Sequence, residues 1–217
     1  MTPVNTWFVR VGASFLLFLL VAGAAVAGSV PAVDSRMRGK VDAPVTMIEY
    51  SDFTCGYCLK FFKDTWPKIQ ARYVDTGKVR FLYKDYPRAD QGPGLTAALA
   101  ARCAGDQGTY WPMHDRLFSA DGRLDADSYT QHAKAIGLDQ SQFRQCLRDA
   151  PHVQSIFRDR DEANSWGFRG TPGFVLMRTT QQPTTKDPAI AIPGAFPFEA
   201  FEEEIEKLLS APGGKPK

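Results

Sequence analysis

Residues 45–58 decide the fold and read Val45-Thr46-Met47-Ile48-Glu49-Tyr50-Ser51-Asp52-Phe53-Thr54-Cys55-Gly56-Tyr57-Cys58. The apolar, β-branched beginning predicts a buried strand. A short polar turn follows, and a C-x-x-C pair then begins a helical pattern. A thiol at a helix N-terminus faces unpaired backbone N–H groups and the positive end of the helix dipole, which both favour the thiolate. We therefore expect Cys55 to be acidic and reactive, and Cys58 to form a disulfide with it.

Two other interpretations of the C-x-x-C pair are a structural disulfide and half of a zinc site. A structural zinc site would need a second pair of cysteines at short spacing. Cys103 and Cys146 are instead far apart, and His114, His132 and His152 do not form a His-x-x-x-His motif. The sequence favours a redox-active pair, and it predicts no metal and no organic cofactor.

Length and composition are compatible with one domain that carries an insertion. The chain has 217 residues, of which 44% are hydrophobic, enough for a full core. The formal net charge of +2 gives no reason to expect a nucleic-acid partner.

The N-terminus is predicted to be an export signal. Arg10 precedes an apolar stretch from Val11 to Gly28, and Ala25-Val26-Ala27 supplies a small-residue cleavage pattern. We expect residues 1–27 to be a signal peptide. An uncleaved membrane anchor is the alternative, because the stretch is borderline in length. Either way, the folded part is expected to be periplasmic or otherwise extracytoplasmic, where disulfides persist.

The remaining pattern is βαβ, then a helical block, then ββα. We expect a linker at 28–40, a first half at 41–92, a helical insertion at 93–163, a second half at 164–210 and a disordered tail at 211–217. Pro67 is expected to kink the first helix. The βαβ unit predicts parallel pairing with a right-handed crossover, so the fold class is α/β.

The chain resembles the DsbA-like branch of the thioredoxin superfamily, from about Gly39 to Leu209. The motifs that carry the resemblance are Asp42-Ala43-Pro44-Val45, Glu49-Tyr50-Ser51-Asp52-Phe53, Cys55-Gly56-Tyr57-Cys58, Lys84-Asp85-Tyr86-Pro87 and Gly170-Thr171-Pro172. The resemblance implies a thioredoxin fold (βαβ…ββα) with an inserted helical domain.

The two cysteines of the motif are expected to have different roles. Cys55 is predicted to be the exposed, attacking thiol, and Cys58 the more buried, resolving thiol. Gly56 and Tyr57 would tune the pair and contact the substrate. Strongly oxidising DsbA-like enzymes usually carry Pro-His at these positions, whereas Gly-Tyr is similar to the dipeptide of periplasmic isomerases. We therefore expect Cys55 to be acidic, but less extremely so.

Glu49 precedes Cys55 by six residues, on the strand that enters the site. Members of the superfamily carry an acid at this place, and we interpret Glu49 as a buried carboxylate that exchanges a proton with Cys58. The alternative is a solvated glutamate at a strand edge. The apolar flanks argue against an edge, because a central strand of an α/β fold has no wet face.

The segment Gly170-Thr171-Pro172 is the predicted second half of the site. In the resembled family this proline is cis and packs against the cysteines, which exposes the backbone of the preceding residue. Pro172 would then shape the site, and the backbone of Thr171 would pair with an extended substrate. The alternative is a trans proline that begins a strand.

Cys103 and Cys146 are expected to form a structural disulfide, because an even number of cysteines in an exported chain suggests pairing. Two buried thiols are the alternative. His114 could be mistaken for a general base. We interpret it as structural, since a helix N-terminus lowers a thiol pKa without histidine.

The sequence therefore predicts an exported thiol:disulfide oxidoreductase that acts on reduced or misoxidised exported proteins. We expect a monomeric dithiol oxidase that a membrane redox partner reoxidises. One alternative is an isomerase or reductase kept as the dithiol, although no N-terminal dimerisation domain is visible. Others are a redox-inactive binding module or chaperone on the same fold, and a structural zinc protein.

Overall fold

The computed structural model describes Met1 and residues 34–119, 123–179 and 188–210. All secondary-structure elements described below lie in one compact unit of residues 33–217. The predicted signal peptide at 1–27 falls outside the described residues, apart from Met1. The tail at 211–217 and most of the loop between the last two strands also fall outside them.

A five-stranded mixed sheet forms the centre of the fold, in the order β1-β3-β2-β4-β5. Strand β2 pairs in parallel with β3 and antiparallel with β4, and β4 and β5 are antiparallel. The strands are β1 Met37–Arg38, β2 Val45–Ser51, β3 Val79–Asp85, β4 Gly173–Arg178 and β5 Ala189–Pro193. The parallel β2–β3 pair and the antiparallel β4–β5 pair confirm the predicted order of elements.

Helices cover the sheet, and five of the helices in the described residues lie between β3 and β4. The helices are α1 Gly56–Asp64, α2 Trp66–Ile69, α3 Pro93–Gly105, α4 Tyr110–Ser119, α5 Ala126–Ala135, α6 Gln140–Asp149, α7 Val153–Ser165 and α8 Phe198–Ser210. A π-helical segment at Gln70–Val74 follows α2 directly. This arrangement is the predicted thioredoxin fold with a helical insertion.

Strand β2 is central and buried along its whole length. Its side chains alternate between two faces, so Met47 joins the larger core cluster together with Cys58 and Phe61 of α1. Ile48 and Tyr50 join a smaller cluster on the opposite face. Because both faces are covered, a charged residue on this strand must be buried.

The linker prediction is wrong for Met37 and Arg38, which form edge strand β1 against β3. The Arg38 guanidinium bonds Asp115 at 2.8 Å and lies 4.2 Å from the Trp111 ring centroid. The Trp111 indole N–H donates to the Met37 carbonyl oxygen at 3.2 Å. Two residues are too few for strand periodicity, and distant partners hold the segment in place.

Pro67 lies at the beginning of a helix rather than within one. Helix α1 ends at Asp64, Thr65 separates it from α2, and Pro67 occupies the first turn of α2. A proline is tolerated there because the backbone N–H groups of a first turn have no partner inside the helix. The predicted kink is therefore a break between two helices.

Candidate active site

Cys55 is the N-cap residue of α1, at the end of the turn that leaves β2. The buried Asp52 carboxylate shapes this turn by accepting hydrogen bonds from the backbone N–H of Thr54 at 2.7 Å and from that of Arg88 at 3.1 Å. The turn packs closely against Gly94 of α3. A Cβ atom at this position would lie only 2.9 Å from Asp52 Oδ1, so a larger residue would not fit without a shift. Asp52 thus anchors the loop that presents Cys55.

The Cys55 thiol is strongly acidified, with its pKa lowered from 9.0 to about 5. The largest cause is the hydrogen bond from the Cys58 thiol, and the Thr171 side chain and the backbone N–H groups of Tyr57 and Cys58 add to it. These N–H groups belong to the first turn of α1 and have no partner within the helix. The structure therefore favours the Cys55 thiolate that the helix N-terminus predicts, but its main hydrogen-bond partner is the Cys58 thiol.

Cys58 and Glu49 lie behind Cys55, in the core. Cys58 is fully buried, and burial raises its pKa well above the ordinary value, with the Cys55 hydrogen bond and the Glu49 charge acting in the same direction. Burial likewise raises the pKa of Glu49 to about 8, and the charge of Cys55 contributes. Glu49 pairs with Tyr83 on one side and Phe174 on the other, so it lies on a central strand and not at an edge.

Thr171 and Pro172 lie immediately before β4 and reach the cysteines. The Thr171–Pro172 peptide bond is cis. The Cys55 thiol donates to the Thr171 carbonyl oxygen over 3.3 Å. The Thr171 hydroxyl is buried without a regular hydrogen-bond partner, and its interaction with Cys55 lowers the pKa of the thiol. The structure therefore brings together the two separate segments that the sequence analysis assigned to one site.

Cys55 is less exposed than expected, because only 6% of its surface is accessible to solvent. The prediction of an exposed attacking thiol is wrong in this respect, because the Thr171 backbone lies against the sulfur. Tyr57 is 68% exposed, and nothing lies within 4 Å of a Cβ atom placed on Gly56. The dipeptide therefore forms the open rim of the site.

An open cleft of about 560 Å³ begins at Cys55 and extends towards the helical insertion. Its apolar lining comes from Phe53, Leu59, Pro93, Leu117, Phe118 and Leu124, and Arg123 and Asp125 contribute charges. Sequence reasoning missed this feature, because apolar side chains at helical spacing predict a core equally well. No signal in the pattern distinguishes a residue that lines a cleft from one that is covered.

Two further polar residues, His114 and Ser51, lie near the site. His114 is buried among aromatic rings, 5.5 Å from Phe53 and 4.7 Å from Tyr83 between ring centroids. Burial lowers its pKa, and its Nδ1 atom lies 2.9 Å from Asp115 Oδ1. Ser51, on the same strand face as Glu49, lowers the pKa of both Glu49 and Cys58.

Cys103 and Cys146 form a disulfide between α3 and α6, as expected, whereas Cys55 and Cys58 are free thiols. The helical insertion therefore contains one bridge, and the candidate active site is in its dithiol form. Among the described residues, no helix has the length and apolar character needed to cross a membrane.

A family model described as thioredoxin matches residues 32–187 of this chain. The chain is 36% identical over 96 residues to disulfide bond formation protein D of Bacillus subtilis, covering 43% of each protein. It is 26% identical over 179 residues to probable disulfide bond formation protein D of Bacillus anthracis, covering 79% of this chain and 76% of that protein.

A different class of protein also matches. The Na(+)/H(+) antiporter NhaA 1 of Salinispora arenicola is 36% identical over 142 residues, which are 65% of this chain but 21% of the antiporter. The chain thus spans about a fifth of the length of that relative. The similarity concerns a limited segment and does not extend over the rest of the antiporter.

Solved structures show the same architecture. The crystal structure of alpha-DsbA1 from Wolbachia pipientis has a TM-score of 0.69 at 27% identity, covering 80% of this chain and 89% of that one. BdbD from Bacillus subtilis, in its oxidised form, has a TM-score of 0.66 at 24% identity, covering 81% and 93%. The latter likeness concerns the fold alone.

Proposed function

We propose, from the premise that this chain belongs to the thioredoxin family as a DsbA-like member, that it is an exported thiol:disulfide oxidoreductase. It would exchange the Cys55–Cys58 disulfide with cysteines of exported proteins, acting as a dithiol oxidase. The observation that carries this proposal is the asymmetry of the two thiols. The pKa of Cys55 is lowered to about 5, whereas that of the fully buried Cys58 is raised well above its usual value.

The first step begins from the oxidised Cys55–Cys58 pair. A substrate thiolate attacks Cys55 Sγ, forms a mixed disulfide with it and breaks the bond to Cys58. The electron pair of that bond leaves on Cys58, whose high pKa demands a proton. Glu49 has a pKa of about 8 and is mostly protonated near neutral pH, so it can supply that proton.

The second step releases the oxidised substrate. A second substrate thiolate attacks the substrate sulfur of the mixed disulfide, and Cys55 leaves as a thiolate. A thiol with a low pKa is a good leaving group, so the environment of Cys55 favours this direction. The substrate gains a disulfide, and the two electrons remain on Cys55 and Cys58 as a dithiol.

Substrate docking would use both sides of Cys55. An extended substrate would pair with the backbone of Thr171, near Pro172, by strand addition. Gly56 would leave room for the substrate chain, and the exposed Tyr57 would contact it. The apolar cleft beside Cys55 would take a hydrophobic side chain. Such side chains are accessible in reduced, partly unfolded proteins, which we propose as the substrates.

The cellular setting follows from the same reaction. We propose export through a cleaved signal at residues 1–27, because the disulfide product persists outside the cytoplasm. The dithiol left after each turnover needs an oxidant, which a membrane redox partner would provide. We propose that the protein works as a monomer, with Cys103–Cys146 as a structural disulfide and without a metal or organic cofactor in the reaction.

The alternative is an isomerase or reductase that is kept as the dithiol. The Gly56-Tyr57 dipeptide favours it, because neither residue offers the positive charge that a histidine can place beside Cys55. The reduction potential separates the two functions. The potential is measured by equilibration of the Cys55–Cys58 pair with glutathione. A value of about −120 mV identifies a strong oxidant, whereas a value of about −270 mV identifies a reductant and contradicts the oxidase.

Activity and roles can be tested on a reduced peptide with two cysteines. Oxidised wild type should oxidise the peptide, and Cys55→Ser should lose the reaction. Cys58→Ser cannot form the internal disulfide, so it should also lose turnover, but with oxidised glutathione as the source of a disulfide it should retain a mixed disulfide at Cys55. A Cys103→Ala/Cys146→Ala double variant is the control and should retain turnover. Mass mapping should find alkylation of Cys55 before Cys58 in the reduced protein. Earlier modification of Cys58 would reverse the roles, unchanged turnover in Cys55→Ser would exclude Cys55 as the reacting thiol, and absence of turnover in the wild type would leave a redox-inactive binding module.

A further inference from the structure

A second cluster of potential ligands lies in the helical insertion. It contains Cys103 of α3, Cys146 of α6 and His152, which precedes α7, and their ligand atoms all lie within 4.8 Å of one another. Asp106 completes the cluster, because its Oδ2 atom lies 3.6 Å from Cys146 Sγ and 2.7 Å from His152 Nε2. Two sulfurs, an imidazole and a carboxylate thus converge on one point.

The donor types of this cluster suit zinc. Zinc prefers four ligands in tetrahedral geometry, drawn from cysteine sulfur, histidine nitrogen and carboxylate oxygen. With bonds of about 2.0–2.3 Å, neighbouring ligands of a tetrahedral site lie roughly 3.3–3.7 Å apart. The distance between Asp106 Oδ2 and Cys146 Sγ, 3.6 Å, falls in this range. The 2.7 Å between Asp106 Oδ2 and His152 Nε2 is shorter, and the disulfide holds the two sulfurs closer still, so both pairs must separate before a metal ion can bind. The two sulfurs are bonded to each other, so they could act as thiolate ligands only after reduction.

The sulfurs can be reached from solvent. An open cleft of about 620 Å³ is lined by Cys103, Cys146 and Asp106. Cys103 is buried, but Cys146 is only partly buried, so an external thiol can attack it first. A reductant and a metal ion therefore have a route to the same atoms.

The helices that carry the ligands are also connected without the disulfide. The Gln107 side chain, next to Asp106, donates to the Asp139 carbonyl oxygen at 3.3 Å and accepts from the Asp139 backbone N–H at 2.9 Å. Asp139 is the N-cap of α6. These bonds join the end of α3 to the beginning of α6. The two cysteines can thus stay near each other after their bond is broken.

We propose that Cys103, Cys146 and His152, with Asp106, form a zinc site that is closed when the disulfide is intact and opens on reduction. A dithiol reductant supplies two electrons, becomes a disulfide itself and leaves two thiols on the protein. Zn²⁺ then binds both sulfurs as thiolates and displaces their protons. This site is separate from Cys55 and Cys58, and it does not depend on the oxidoreductase reaction.

The test uses the full chain as a Cys55→Ser/Cys58→Ser variant, so that only the second pair can react. After reduction and removal of the reductant under argon, Zn²⁺ is titrated against a chromophoric chelator, and Co²⁺ is used to detect thiolate-to-metal absorption. We expect one Zn²⁺ per reduced chain and no such binding to the oxidised chain. His152→Ala should weaken binding about tenfold or more, as should Asp106→Asn, whereas His132→Ala, outside the cluster, should not.

Circular dichroism shows whether the reduced chain is folded before and after Zn²⁺ is added. A folded reduced chain, or one that Zn²⁺ refolds, must still show the dependence on His152. Binding that requires the cysteines but is unaffected by His152→Ala would overturn the site, because an unfolded dithiol binds zinc in that way. Absence of stoichiometric binding would also overturn it. Neither result bears on turnover at Cys55.

Discussion

Cys55 Sγ lies 3.3 Å from the backbone carbonyl oxygen of Thr171, although 116 residues separate the two positions along the chain. Cys55 comes from the βαβ half of the fold, and Thr171 from the turn before β4. The helical insertion lies between them in sequence but not between them in space. The reactivity of the thiol therefore depends on how the two halves of the sheet pack together.

Thr171→Val should raise the pKa of Cys55 above about 5, because the Thr171 side chain is one of the groups that lower it. Valine keeps the shape of threonine but removes the buried hydroxyl. The pH dependence of iodoacetamide alkylation in the reduced protein measures the change. Thr130→Val is the control, since the Thr130 hydroxyl donates to the Ala126 carbonyl oxygen on α5, away from the cysteines. An unchanged pKa would mean that the hydroxyl does not interact with the thiolate.

Glu49→Gln should make the reduced protein more stable relative to the wild type at pH 8 than at pH 4. The pKa of Glu49 is about 8 in the fold and near 4.5 when unfolded, so the folded state binds more protons between these values. Wild-type stability from this group is therefore fully present below pH 4.5 and falls as the pH rises towards 8. The glutamine variant lacks this loss, which is on the order of 4 kcal/mol at pH 8, at ~1.4 kcal/mol per tenfold change in proton affinity.

Urea unfolding at both pH values measures the Glu49 effect, and Glu199→Gln on α8 serves as a control. A wild-type protein whose stability does not fall more steeply with pH than that of Glu49→Gln would show that Glu49 ionises normally. The same variant should also remove a step near pH 8 from the rate of mixed-disulfide resolution, provided that Glu49 exchanges a proton with Cys58.

Local signals in the sequence predicted most of the fold. The apolar run before Cys55 and the alternation from Val79 onwards gave the correct strands, because a buried strand has a periodicity that needs no distant partner. Strand β1 could not be found in this way, since Met37 and Arg38 are held by residues far along the chain. Short edge strands are specified by tertiary contacts.

At the site, residue types were predictable but their exposure and partners were not. The motif placed Cys55 at a helix N-terminus correctly, yet the largest cause of its acidity is the Cys58 thiol. The burial of Cys55 depends on Thr171, which no local pattern connects to it. The apolar cleft was missed because its lining residues have the same spacing as core residues.

The Cys103–Cys146 disulfide should stabilise the helical insertion without contributing to exchange at Cys55. The bond joins positions 43 residues apart. A loop of this size lowers the entropy of the unfolded chain enough for a stabilisation of about 4 kcal/mol. The Cys103→Ala/Cys146→Ala variant should lose roughly 2–4 kcal/mol in denaturant unfolding, with unchanged Cys55 alkylation. A stability equal to that of the wild type would mean that the bridge does not constrain the unfolded state.

A buried charge network connects the end of strand β3 to the helical insertion. The Arg102 Nε atom of α3 donates to Asp85 Oδ2 at 2.7 Å, and its other end pairs with Asp159 of α7. Asp159 also accepts from Arg36 at 2.7 Å and from the Asp85 backbone N–H at 3.2 Å. Burial raises the pKa of Asp85, and Arg102 opposes that effect. Arg102 therefore neutralises two carboxylates that water can hardly reach.

Arg102→Met should be among the most destabilising single substitutions, at about 3–5 kcal/mol, because it leaves the buried Asp85 carboxylate without its cation and Asp159 with Arg36 alone. The matched control is Lys207→Met, which removes an exposed cation paired with Glu203 and should change little. The double variant Asp85→Asn/Arg102→Met should recover part of the loss, since it removes one unpaired charge together with the arginine. Urea unfolding of the four proteins completes the comparison. A loss in Arg102→Met no larger than that in Lys207→Met would show that Asp85 and Asp159 take up protons or water at little cost.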